Sequence, residues 1–503
     1  MRCLLLVCAS LLFPTAALLG QADNQQRFRV TGSVVNESTG EPMRGAMVEF
    51  QQPSARSTMT DSAGHFEIDD LVAGNAIVTT KRPGFRFTNG QQRITIGSST
   101  APVTLKLAPL SKISGRVTDR DGEPIDGVQI QCSQIVVIDG RRMYTQMPGA
   151  STDETGQFLI EDLPPGTYVV RTSEKQLYFG LKPKAEASRY IYPATYYPDT
   201  TSRDTAQQIE LAPGADGRVD MELRSIRAAH VSVTVTPGYA NLMGFLNDND
   251  GNSALGAAMS DGSGVVTFGA VPPGNWKILL RAFSHAGGRN DEALSGELAV
   301  DVGTTDIDNL KLQLSKPTEL QVTASGIPNP QVYVQLFSPK GPAGGAAFQQ
   351  NNDVKISVGQ SGSYRVVART NGSSCVTSVT SGSQDLLREW LLITSGNPVP
   401  PIQIVESDNC PSLTVTPNMT GSATVLVTSA LPGLETRQAV ASKGPAVFSG
   451  LTPGEYQVYA FDNVNTLEYA NPDVMRNFKS QSVTLEAGDK KSLQVEVNER
   501  TPR

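Results

Sequence analysis

The chain has 503 residues and a formal charge of −7, with no run of five basic residues, which argues against nucleic acid or an anionic membrane surface as a partner. Charged residues are only 18% of the total, while 46 glycines and 32 prolines fit many short strands joined by tight turns. At about 80 to 120 residues per sandwich the length allows four to six domains, and five fits the repeats.

Met1-Arg2, an apolar run over 3–19 and Gly20-Gln21-Ala22 before Asp23 read as a signal peptide over residues 1–22. Leu5-Leu6-Val7 lack the small residue normally wanted before a lipidated cysteine such as Cys8. No later segment approaches about 18 apolar residues, so the mature chain is expected to have no transmembrane segment.

Beyond the leader, Gly32-Ser33-Val34-Val35 reaches a Gly40-Glu41-Pro42 turn and returns through Gly45-Ala46-Met47-Val48. Gly115-Arg116-Val117-Thr118, Gly122-Glu123-Pro124 and Gly127-Val128-Gln129-Ile130 repeat the pattern. A second pattern recurs four times, as the pairs Gly64/Gly74, Gly156/Gly166, Gly264/Gly274 and Gly444/Gly454, ten residues apart. Leu71, Leu163, Val271 and Leu451 stand seven residues after the first glycine, and Ala76, Tyr168, Trp276 and Tyr456 twelve after it. Each copy reads as turn, alternating strand, turn, strand, with an Asp side chain able to bond its own backbone in the first turn and the second glycine reversing the chain. The fourth copy has Ala441 in place of that Asp.

Closing strands such as Val103-Thr104-Leu105-Lys106-Leu107, Val219-Asp220-Met221-Glu222-Leu223 and Leu310-Lys311-Leu312-Gln313-Leu314 share one alternating texture. They divide the chain into sandwiches at 27–109, 110–228, 229–315, 316–407 and 408–503, the second lengthened by an insertion from about 176 to 206. Short linkers predict a semi-rigid array. One stretch, Asp385-Leu386-Leu387-Arg388-Glu389-Trp390-Leu391-Leu392, suits either a helical turn or a buried strand.

The combined run, G-x-V through G-E-P and (T/S)-D-x-x-G-x-F to L-x-x-G-x-Y, resembles the carboxypeptidase regulatory-like domain over residues 28–109 and 110–228. The resemblance implies a prealbumin-like, also carbohydrate-binding-like, sandwich: a non-catalytic accessory module, often exported. From Val231 onward only the glycine signature continues.

Catalytic motifs give little support to an enzyme. His65, His230 and His285 fall in different predicted domains or at their edges, and none lies in a zinc-peptidase setting. No Ser has Gly at both −2 and +2, and no phosphate-cradling glycine loop is present. Asp69-Asp70 and Glu161-Asp162 read as solvated turns rather than paired glycosidase carboxylates. Asn247-Asp248-Asn249-Asp250-Gly251-Asn252 misses the calcium-loop spacing, which would put Leu246 and Ala257 at ligand positions.

Three cysteines follow the leader. Cys375 and Cys410 are the natural disulfide pair in an oxidising compartment, with two unpaired thiols as the alternative, and Cys132 reads as a small core residue. The insertion carries Tyr190, Tyr192, Tyr196 and Tyr197, which either stack on sugar rings or cover the sandwich edge. Trp276 shares a repeat slot with Tyr168 and Tyr456, which marks it as a packing position; Trp390 has no such counterpart.

The reading is an all-β tandem array of about five Ig-like or prealbumin-like β-sandwich domains, with no catalytic residue, cofactor or metal. It is expected to be secreted or otherwise extracytoplasmic, as a scaffold for a protein or cell-envelope partner. The alternative is carbohydrate binding through the insertion tyrosines.

Overall fold

The computed structural model describes residues 26–500 except 53, 88–90, 177–189, 237–240, 249–252, 261, 283–293, 329–331, 340, 349–352, 371–372, 395–396, 420 and 443. The signal-peptide segment, Cys8, His285 and the end of the calcium-like loop lie outside the described residues.

The architecture is all-β, and one topology is used five times. In the first sandwich, Arg27–Asn36 runs parallel to Val103–Pro109 and antiparallel to His65–Val72. The facing sheet orders Arg56–Met59, Met47–Gln51, Gly74–Lys81 and Gln92–Ile96. Alternation along Arg27–Asn36 puts Val30 and Val34 inside, against Phe50, Phe66, Leu71 and Leu105.

Ser111–Thr118, Ala229–Val235, Thr318–Ser325 and Ser412–Pro417 are the corresponding opening strands, each paired in parallel with its own closing strand. The fourth sandwich adds Cys375–Ser381, antiparallel to its closing strand Ile402–Ser407.

By contact density the chain forms two units. The first is residues 1–111 with 212–215, where the Ser111 hydroxyl donates to the Ala212 carbonyl at 2.8 Å. The second, 112–211 with 216–503, holds the other four sandwiches.

The glycine-paired turns follow from local hydrogen bonding. Asp61 and Asp153 each accept two backbone N–H groups, from Ala63 and His65 and from Thr155 and Gln157, at 2.8–2.9 Å. That holds Gly64 and Gly156 at φ 73° and 74°, a region that disfavours side chains. Gly264 shares it at φ 82°, whereas Gly444, preceded by Ala441 instead of the Asp, is not left-handed.

The second glycines differ from the reversing-turn role expected of them. Gly74, Gly166, Gly274 and Gly454 are each the first residue of the returning strand, Gly74–Lys81, Gly166–Thr172, Gly274–Ala282 and Gly454–Phe461, and each is already paired in its ladder, opposite Ile96, Leu211, Val302 and Leu485. Their φ values of 127°, 152°, 149° and 152° explain the residue type, because a positive φ at the mouth of a strand is open to glycine and strained for anything with a Cβ. Space does not make the choice at Gly74 or Gly454, where a Cβ would meet nothing within 4 Å; at Gly166 it would also press on the Gln134 amide at 2.5 Å.

Two residues later the ring turns back on the chain. Tyr456 Oη donates to the Thr452 carbonyl at 2.6 Å, Trp276 Nε1 to Pro272 at 2.8 Å, and Tyr168 Oη to Pro164. The fourth sandwich makes the same contact: Gly362 lies at φ 155° and Tyr364 Oη donates to Gln360 at 2.7 Å. The ring-to-carbonyl contact thus occurs a fourth time where the sequence pattern is lost, since Asn352 and Gly359 occupy the other two slots; the first sandwich has Ala76 in the ring slot.

Asp69-Asp70 and Glu161-Asp162 lie within strands, not turns. Asp70 and Asp162 take φ 61° and 59°, and the first pair bulges opposite Arg29, whose guanidinium meets Asp69 at 2.6 Å. The ambiguous 385–392 stretch is a turn between Gln384–Asp385 and Leu391–Ile393, with Leu386 and Leu387 in the core.

Burial pushes the Cys132 thiol up from 9.0 to about 12, and burial foremost does the same for the Tyr456 phenol, from 10.0 to about 12. Both groups keep their protons when folded and release them sooner when unfolded. Stability is therefore full below pH ~9 and falls by up to about 1.4 kcal/mol per pH unit for each proton as pH rises toward ~12. Urea midpoints from pH 8 to 11 should decline, and Cys132→Ala should remove the component that begins near pH 9. An unchanged profile in that variant would refute the assignment to Cys132.

Candidate interaction site

The feature that most alters the picture of a simple tandem array is a long hairpin of the second sandwich. Gln129–Ile138 and Arg141–Ser151, ten and eleven residues long, are joined by Asp139 and Gly140 at φ 49° and 72°. Two consecutive left-handed residues are what a two-residue hairpin turn with the native strand twist requires.

The tip reaches the fifth sandwich. The Ala470 N–H donates to the Gly140 carbonyl at 3.1 Å, and the Arg142 guanidinium places Nε and Nη2 at 2.8 and 2.6 Å from Glu468 Oε1. Arg141 meanwhile lies 4.6 Å from the ring centroid of Phe337 in the fourth sandwich.

Gly140 has two reasons to be glycine: its φ, and the Tyr469 ring, which a Cβ would approach to 2.4 Å. Gly140→Ala should lift the tip from Tyr469, at a cost of about 1–3 kcal/mol. Limited proteolysis should then cut near residues 138–142 faster than in the wild type; unchanged cleavage would contradict the docking.

The fourth and fifth sandwiches also meet directly. Thr452 Oγ1 donates to the Val376 carbonyl at 2.6 Å, the Gly433 N–H to Leu387 at 2.9 Å, and Arg369 pairs with Glu435. Leu431 and Leu434 pack against the core of the fourth sandwich.

Between the hairpin and these two sandwiches lies a cleft of about 1030 Å³. Its walls include Trp390, 41% exposed and covered on one side by the Arg365 guanidinium at 4.6 Å. Arg365 also donates through Nη1 to the Arg388 and Glu389 carbonyls at 3.1 Å, and burial lowers its pKa.

The insertion tyrosines are distributed differently. Tyr190 is 49% exposed and Tyr197 half-buried, whereas Tyr192 and Tyr196 are buried. Tyr190–Tyr192 pairs with Lys175–Gln176 and with Ile226–Arg227, and Ile191 packs on Ala228 at the end of the second sandwich and on Ala270 in the third. Tyr196 lies 5.7 Å from the Arg171 guanidinium, which is itself buried and 3.5 Å from Asp248. Four tyrosines adjacent in sequence therefore do not form one exposed stacking face. Asp248, from the calcium-like loop, is engaged with a buried arginine.

Cys375 and Cys410 are joined by a disulfide with Cα atoms 5.9 Å apart, and Cys132 is a buried free thiol. His65 is exposed and His230 partly exposed. Among the described residues no group of three or more His, Cys, Asp or Glu side chains could hold a metal, and no helix is long and apolar enough to cross a membrane.

Residues 29–108 and 112–182 match the family model described as the carboxypeptidase regulatory-like domain, so the first two sandwiches carry that fold and its signature. No curated protein matches the sequence. Among solved structures, the Bacillus anthracis TIE protein is similar at 11% identity over 77% of this chain and 76% of its own, with a TM-score of 0.19. A minor pilin of Streptococcus agalactiae shows 14% identity over 43% and 99%, TM-score 0.21. A shaft pilin of Lactobacillus rhamnosus GG shows 10% over 40% and 99%, TM-score 0.21. Likenesses this low carry no functional inference.

Proposed function

We propose that this chain, two carboxypeptidase regulatory-like domains continued by three sandwiches of the same topology, is a non-catalytic, exported scaffold for a protein or cell-envelope partner. The domain divisions proposed are 27–109, 110–228, 229–315, 316–407 and 408–503.

The observation that carries this reading is the cleft. Side chains from three sandwiches converge there as guanidinium, aromatic and amide groups, which is binding chemistry. The repeat signature, for its part, spends its ring donors on backbone carbonyls within each turn. The disulfide supports an oxidising compartment, hence export. Carbohydrate binding through the insertion is the weaker reading, because Tyr192 and Tyr196 are closed to a sugar ring.

The test is to incubate the purified protein with polysaccharide, peptide and ester panels, and separately to probe envelope fractions with wild type and cleft variants. The scaffold reading expects no turnover and a partner lost with cleft substitutions. Turnover that copurifies with the chain and is abolished by a point substitution would overturn it.

A further inference from the structure

The cleft has a chemical character that the chain as a whole lacks. Its walls bring together Arg141, Arg365, Arg369, Arg437 and Arg476 against Asp139 and Glu435, a local excess of three positive charges in a molecule of net charge −7. Arg369 is committed to Glu435 and Arg476 to Asp473. Arg141 and Arg365 instead rest on aromatic rings, which orients each planar guanidinium; Arg365 gives Nη1 to the Arg388 and Glu389 carbonyls, so it is Nε and Nη2 that it can offer a carboxylate.

The second observation is backbone. Arg141–Ser151, Gly341–Ala347 and Arg437–Ala441 are each the edge strand of a four- or five-stranded sheet, and each contributes residues to the cleft. Among the described residues the outer edge of Arg437–Ala441 has no backbone partner. The strand, Arg-Gln-Ala-Val-Ala, contains neither the lysine nor the proline that commonly guards an open edge. Val440 on it is 64% exposed.

We propose that the cleft is the docking groove for an extended, acidic polypeptide segment of a partner protein. The segment adds to the free edge of Arg437–Ala441 and sets alternate carboxylates toward Arg437, Arg365 and Arg141. The proposal rests on the scaffold reading and names the partner's chemistry. An open edge favours a polypeptide over an acidic glycan, because only a peptide backbone completes the ladder with both donors and acceptors. A strand's two-residue repeat also places every second side chain on one face, about 6.8 Å apart.

The experiment titrates the full protein into a fluorescein-labelled peptide of about ten residues, alternating Glu and Val, with a Lys/Val peptide and an oligogalacturonate as comparison ligands. Fluorescence anisotropy should show micromolar binding of the Glu/Val peptide at low salt, weakened about tenfold by Arg437→Glu and by Arg141→Glu, and none of the Lys/Val peptide. A benzophenone side chain replacing Gln438 should crosslink to the bound peptide. Folding of each variant is checked by circular dichroism, and a variant that fails is replaced by Arg437→Gln. No binding near 1 mM, binding unchanged by the charge reversals, or preference for the oligogalacturonate would each overturn the proposal. All three leave the scaffold reading intact, which falls only on catalytic turnover.

Discussion

Gly115→Ala is expected to destabilise the second sandwich by about 3 kcal/mol, and Gly32→Ala the first by a similar amount. Neither glycine has a positive φ, so the effect is steric rather than conformational. A Cβ at Gly115 would lie 1.7 Å from the Val219 carbonyl oxygen and 2.8 Å from the Phe158 ring; at Gly32, 2.1 Å from Val103 O and 2.5 Å from Phe66. Neither neighbour can easily retreat. Val219 is fixed by its N–H donation to Ser114 at 2.9 Å, and Phe158 and Phe66 are buried core rings.

The first glycine of the family signature is thus explained by close approach of the closing strand on one side and a core ring beside it. Gly97→Ala, where a Cβ would meet nothing within 4 Å, is the control and should change stability by less than about 0.5 kcal/mol. Hydrogen-exchange mass spectrometry of the full chain should show protection lost over 111–118 and 157–163 in the Gly115 variant. A profile equal to that of Gly97→Ala would refute the steric account.

The part of the fold legible in the sequence is whatever repeats locally. The glycine pairs, their apolar and aromatic companions and the Gly-Glu-Pro turns each act within about twenty residues, so their spacing survives as pattern. Spacing does not distinguish a glycine that makes a turn, such as Gly156, from one that opens a strand, such as Gly166, because both need a positive φ. The threonine of the (T/S)-D step belongs to the same local pattern, and its carbonyl accepts from the N–H of Gly45 or Gly127. Thr60 and Thr152, just before the turn aspartates, are buried and bridge the return strand, Thr152 Oγ1 donating to Ile125 O at 2.7 Å while accepting from the Val128 N–H at 2.9 Å.

The fourth sandwich hides its copy because two of four slots changed, although the ring-to-carbonyl bond persists at Tyr364. The cleft leaves no periodic trace at all. Arg142 and Glu468 are 326 residues apart, and nothing in either neighbourhood marks the other. The available clue is Asp139-Gly140 between strands twice as long as Met47–Gln51, their counterpart in the first sandwich. A hairpin that outgrows its own sheet has a surface to spend elsewhere.

Removing the Cys375–Cys410 disulfide is expected to cost about 4 kcal/mol, the chain entropy restored to the unfolded state when a loop of 35-residue separation is no longer closed. The native state is strained little by the loss, because Cys375 is already held opposite Ser407 in the ladder. The consequence should nonetheless extend beyond the fourth sandwich. Cys410 lies two residues before the opening strand of the fifth, and the neighbouring residues of Cys375 form the seat for that sandwich's turn. There Thr452 bonds to Val376, and a Cβ on Gly450 would come within 2.6 Å of the Ser374 carbonyl.

Glu406 sits beside the same seam, buried, with Ser374 Oγ donating to it at 3.1 Å and burial raising its pKa. Cys375→Ala/Cys410→Ala, compared with oxidised wild type in the absence of reductant, should lower the urea midpoint. It should also raise exchange over 373–376 and 450–453 before any change appears at 229–235 in the third sandwich. An unchanged midpoint would show that the bridge adds nothing to stability. Loss of stability with protection retained over 450–453 would confine its effect to the fourth sandwich and refute a role in joining it to the fifth.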